Sequence, residues 1–149
     1  MKTLLIEEAE FIDFQLYGIV SAYTDSPQLV YHINRCFETK FVRCTDLDVL
    51  IENQLTFYPV FEWENPQSGA YYNIIKNASY TLNSTENSGN LSSLFDVAPV
   101  LINQFKHYNF LLKVTGEEFD GLPIYENNFI QIITELDTNS IKTINRLIF

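Results

Sequence analysis

Three closely spaced acids, two histidines and two cysteines are the side chains from which this chain could build chemistry. Asp46, Asp48 and Glu52 fall within "TDLDVLIE". Carboxylates at such spacing can hold a divalent cation or divide acid and base roles between them. Combined with His32 or His107 as a proton carrier, segment 46–52 defines one reading, a small-ligand binder or an enzyme. The segment lacks the central glycine and the ligand number of a calcium loop, so an acidic solvated loop is the simpler reading. His32 lies off the apolar stripe of its helix, which predicts exposure. His107 follows a stretch of helical spacing, where an imidazole suits the negative end of the helix dipole. Cys36 and Cys44 have no Cys or His neighbour at metal-ligand spacing and are expected to be two buried or half-buried thiols without a bridge.

Other reaction signatures are missing from the sequence. It contains no GxSxG elbow and no recognisable Ser-His-Asp frame. Its five glycines, at 18, 69, 89, 116 and 121, are too scattered to cradle a phosphate. No catalytic, cofactor-binding or metal-ligating residue is therefore assigned, and no cofactor is expected. Glu62 and Glu64 flank Trp63 in an alternating stretch, which predicts two solvated acids opposite a buried ring. The chain is rich in aromatics, with nine Tyr and twelve Phe, and much of this surplus must be core. Tyr17, Tyr23, Tyr58 and Tyr71 fall opposite or adjacent to the main apolar stripes. They predict either a partner-binding face or the underside of a second layer.

The elements that must position these groups follow from hydrophobic rhythm. Residues 12–22 alternate through Ile12, Phe14, Leu16, Gly18, Val20 and Ala22, a half-buried strand. In "DSPQLVYHINRCFE", Asp25 or Ser26 can cap, Pro27 suits a first turn, and Leu29, Val30, Ile33, Cys36 and Phe37 make one helical stripe reaching about Glu38. "FVRC" at 41–44 reads as a strand. Residues 55–64 and 70–81 are predicted to form a hairpin around "NPQSG", with Pro59 marking an edge or bulge. "NSTENSGN" at 83–90 is a loop. Leu94, Ala98, Leu101, Ile102 and Phe105 recur at helical spacing, with Pro99 in the first turn. From Tyr108 the period switches to that of a strand ending at Gly116. Segment 129–136 fits either element, and its Ile and Thr content favours a strand. The apolar tail "SIKTINRLIF" is expected to dock on the core. The order predicts an α+β two-layer sandwich, a mostly antiparallel sheet with two main helices, one version being ferredoxin-like with extra strands.

Composition bounds the rest. A chain of 149 residues predicts a single domain spanning 1–149. At that size roughly 70% of the unfolded surface can be buried without a metal or disulfide staple. The net charge of −10 argues against nucleic acid and against an anionic membrane surface. Glu7, Glu8 and Glu10 directly follow a short apolar start, which is not a secretory signal, so a cytoplasmic protein is expected. In that compartment the triplets "NAS" at 77, "NST" at 83 and "NLS" at 90 are accidents of an Asn-rich chain.

The series of features resembles the IPExxxVDY proteins. "FIDFQLYGIVS" (11–21) is similar to that family's first strand and "VYHINRCF" (30–37) to its helix. "RCTDLDV" (43–49) is similar to its basic-acidic piece, "PVFEWENPQSGAYYNIIKNAS" (59–79) to its aromatic-acidic hairpin, and "IKTINRLIF" (141–149) to its ending. The naming signature falls at "INQFKHYNF" (102–110), where only Ile102 matches. The family usually has a helix between its last two strands, and "EEFDGLPIYENN" (117–128) is too short for one. The resemblance implies a small bacterial cytoplasmic protein and supplies no catalytic residue. With no reactive constellation beside abundant aromatics, the expectation is a non-enzymatic domain that binds another protein or itself, possible as a homodimer, through a tyrosine-bearing face or an edge strand.

Overall fold

In the computed structural model the described residues are 13–79, 99–116, 121–139 and 141–149. The first strand, β1 (Phe14–Ser21), feeds the helix α1 (Ser26–Cys36). Asp25 caps that helix, its carboxylate accepting the Gln28 N–H at 3.2 Å, and Pro27 occupies the first turn. Next come β2 (Val42–Arg43), β3 (Leu47–Ile51), β4 (Gln54–Tyr58), β5 (Val60–Glu64), β6 (Tyr71–Lys76), β7 (Phe110–Thr115) and β8 (Ile130–Leu136). Six strands form one sheet in the order β2-β5-β6-β7-β1-β8, and every neighbouring pair is antiparallel. β3 and β4 form a separate two-stranded sheet.

Both faces of the large sheet are buried. On one face α1 lays Leu29, Val30 and Ile33 over Ile19, Phe61, Ile74, Phe110 and Leu112, and Ile124, Phe129 and Ile130 extend the same cluster. On the other face Leu16, Val60, Ile75 and Leu111 meet Tyr58, Leu101, Ile102, Ile141, Ile144 and Leu147. The tail therefore docks as expected, and Arg146 fastens it by donating to the Leu101 carbonyl at 2.6 Å. Segment 130–136 is the strand its β-branched content favoured.

Three expectations are corrected. One α-helix, not two, lies among the described residues. Of the second helical pattern, Leu94 and Ala98 fall outside them, and residues 99–102 are not helical. Val100 bridges Ala78, and Leu101 and Ile102 give their N–H groups to the backbone and side chain of Asn77, so no i→i−4 ladder starts. Only a 3-10 turn, Asn103–Phe105, survives. The sheet is also covered on both sides rather than one, because β1, β6 and β7 bury residues of both parities. Finally, the hairpin of β5 and β6 spans 60–64 and 71–76. Residues 54–58 fold back on 47–51 instead, through a two-residue turn in which Glu52 (φ 52°) and Asn53 (φ 64°) are both left-handed. A glycine-free "EN" gives little warning of that turn. Pro59 sits at the crossing between the two sheets, where no ladder donor is needed.

Candidate functional site

The sequence-predicted groups do not assemble. Asp46 pairs with Arg43 at 2.6 Å, while Asp48 and Glu52 are exposed on the β3–β4 hairpin. His32 belongs to the opposite face of the sheet and is half-buried rather than exposed. Its ring stacks on Tyr23, with centroids 4.4 Å apart and planes 9° from parallel, and leans on Phe129 at 5.8 Å. His107 is exposed beyond the 3-10 turn. Among the described residues no three His, Cys, Asp or Glu side chains come together as a metal site. The four tyrosines share no face either: Tyr58 is fully buried among Leu101, Ile102 and Ile75, whereas Tyr17 and Tyr23 pack on the helix side.

A concave feature lies elsewhere among the described residues. A hollow of about 730 Å³ opens between the C-terminal end of α1, the β5–β6 turn and residues 123–125. Its apolar wall is Phe37, Trp63, Pro66, Pro123 and Tyr125. Glu38 and Glu64 bring carboxylates to it, against Lys40 as the one cation in the lining, and Cys36 and Gln67 add a thiol and an amide.

Each wall is held from behind. Trp63 is half-buried and lies on Tyr72, with centroids 5.3 Å apart and planes at 19°, while Phe41 meets it at 5.7 Å. Phe41 is fixed in turn by Asn34, whose carboxamide donates to its carbonyl and accepts its N–H, both at 2.9 Å. Tyr125 is 64% exposed and leans edge-on against Phe37 at 4.8 Å. Its segment is anchored by fully buried Ile124 and by Asn127, whose side-chain oxygen accepts the N–H groups of Phe129 and Ile130. The β5–β6 turn is closed by Asn65, which accepts from Gln67, with Gly69 at φ 76°.

Three side chains depart from expectation here. Trp63 lines an open hollow instead of being buried. Cys36 is exposed on it because α1 ends at that residue and its stripe has no further turn to cover it. Glu62 is not simply solvated, since the Tyr71 hydroxyl donates to it. Cys44 is half-buried, its thiol donating to the Val60 carbonyl at 3.4 Å, and burial together with the Glu62 charge pushes its pKa up, which makes it a poor nucleophile.

One further group escaped sequence reading. The alternation of β7 assigns Lys113 to a polar face, yet it is 6% exposed. Its ammonium lies 4.1 Å from the Phe149 ring centre and 4.9 Å from that of Phe14, and burial lowers its pKa while Asp13 works against that. Nothing local distinguishes this lysine from a surface one. The docked tail decides its burial.

Comparison with protein families, with characterised proteins and with solved structures finds no match to this chain. Among the described residues no helix is long and apolar enough to cross a membrane.

Proposed function

We propose that this chain is a non-enzymatic binding domain whose hollow beside Trp63 receives an extended, basic, proline-bearing segment of another protein. The observation that carries the reading is the pairing of an aromatic and proline-lined hollow with two carboxylates in its lining. Aromatic grooves take polyproline II segments because such segments are pre-extended and lose little entropy on docking. The carboxylates of Glu38 and Glu64, on a chain of net charge −10, select a cationic partner and repel an acidic one. Trp63 adds an aromatic face for an arginine or lysine. Membership of the IPExxxVDY group and a cytoplasmic location belong to the same proposal and bring no reaction with them.

Trp63 is the only tryptophan in the chain, so its fluorescence reports the hollow directly. A peptide of alternating Pro and Arg is expected to shift that emission saturably, less so as salt rises. A Pro-Glu peptide of equal length should leave it unchanged. Tyr125→Ala should weaken the response without lowering thermal stability, because the ring is mostly solvated. Equal responses to the two peptides, or none to either, would remove the reading.

A further inference from the structure

The two ends of the six-stranded sheet are finished differently. At one end β2 is two residues long and carries Arg43, a blunted edge of the kind that resists pairing. At the other end β8 is seven residues long and pairs, among the described residues, with β1 alone. It carries a single charge, Glu135, and no proline. Ile132 is 43% exposed.

The hydrogen-bond parity of β8 can be read from its partner. Ala22 donates to the Phe129 carbonyl, whereas the Ser21 N–H points the other way, to Asn109 ahead of β7. Even-numbered residues of β1 thus face β8, and their register partners are Ile132, Thr134 and Leu136. The backbone groups of Ile133 and Glu135 point outward. The register shifts once, opposite the step from Val20 to Ser21, which leaves residues 132–136 as an unbulged stretch with Thr134 at its middle.

We infer that β8 pairs antiparallel with β8 of a second copy about a two-fold axis through Thr134. In that register the outward groups of Ile133 bond those of Glu135 on the other copy, and the reverse. Ile132 meets Leu136 on one face, and Thr134 meets itself at a non-hydrogen-bonded pair. Directly opposite residues are compatible in charge, since the strand's one acid stands across from an isoleucine and meets its own copy only on the diagonal. An isologous contact of this kind closes as a dimer and joins two six-stranded sheets into one. The inference is independent of the Trp63 hollow, which lies at the β5 side of the sheet.

The test uses the full chain, with exposed Cys36 replaced by Ser. Light scattering should find a dimer that dissociates on dilution and tightens with salt, because two chains of charge −10 repel. Thr134→Cys should cross-link under mild oxidation, its Cα lying about 4.5 Å from its mate in such a pair. Ile132→Cys should not, because the two copies stand about 13 Å apart along the paired strands. Glu135→Pro removes only an outward donor, so it should give a monomer of unchanged circular dichroism. A chain that stays monomeric at every concentration overturns the inference. So does cross-linking of Ile132→Cys as fast as Thr134→Cys. Should Glu135→Pro fail to fold, the cysteine pair still decides.

Discussion

Gly18→Ala is the sharpest probe of how the sheet and its covering segment fit. Gly18 lies in the middle of β1, and a Cβ built there would stand 2.5, 2.6 and 2.8 Å from three ring carbons of Tyr108. Ordinary carbon–carbon contact is about 3.5–4.0 Å, so the ring must retreat by about 1 Å. Its backbone cannot follow freely: the Tyr108 N–H donates to the Phe105 carbonyl at 2.9 Å, and its own carbonyl accepts from Asn77. Overpacking of this kind costs about 1–3 kcal/mol. Reduced freedom of the unfolded chain returns about 0.4–1 kcal/mol. The net expectation is a loss of about 1–2 kcal/mol, or about 5 °C in Tm for a domain of this size. Urea unfolding of Gly18→Ala, Tyr108→Ala and the double variant measures it. In the Tyr108→Ala background the alanine at 18 should become neutral or slightly stabilising, giving a coupling of about 1–3 kcal/mol. A neutral Gly18→Ala in the wild-type background, or additive effects in the cycle, would refute the claim that the ring sits against the bare backbone.

Asn77 holds the 99–109 segment through five bonds, two from its side-chain nitrogen, one to its side-chain oxygen, one from its backbone N–H to Asn109 and one to its backbone carbonyl from Leu101. Asn77→Leu should cost about 2–4 kcal/mol in urea unfolding, because it leaves the buried Ile102 N–H and the part-buried Tyr108 carbonyl without the partner Asn77 supplies, while the Phe105 carbonyl keeps the Tyr108 N–H. Lys113 titrates below its ordinary 10.5 in the folded chain, so the unfolded state binds more protons between its folded and unfolded pKa values. Its contribution to stability is therefore complete above 10.5 and is lost as pH falls through the folded value. Unfolding free energies of wild type and Lys113→Met, compared from about pH 7 to about pH 10, should move in favour of wild type as pH rises. A pH-independent difference would mean the ammonium is solvated.

What the chain encodes locally is what its own neighbours enforce. The Asp25 cap, the Pro27 turn and the 3.6-residue stripe specify α1 whatever packs on it, and the alternation of 108–115 and the β-branched run of 130–136 specify strands. Other features arise from contacts far apart in the chain. Leu101 and Ile102 fit a helical stripe, but Asn77, more than twenty residues upstream, claims their N–H groups and leaves one 3-10 turn. Lys113 and His32 look like surface residues until the tail and Phe129 close over them. The hollow is least legible of all, since Cys36, Trp63 and Tyr125 are remote in sequence and meet only because α1, β5 and the 123–125 segment end at the same rim. Hydrophobic period and capping act within a turn or two, so the sequence determines elements. Shape and exposure depend on which ends the tertiary fold brings together, and from those ends come the binding surfaces proposed here.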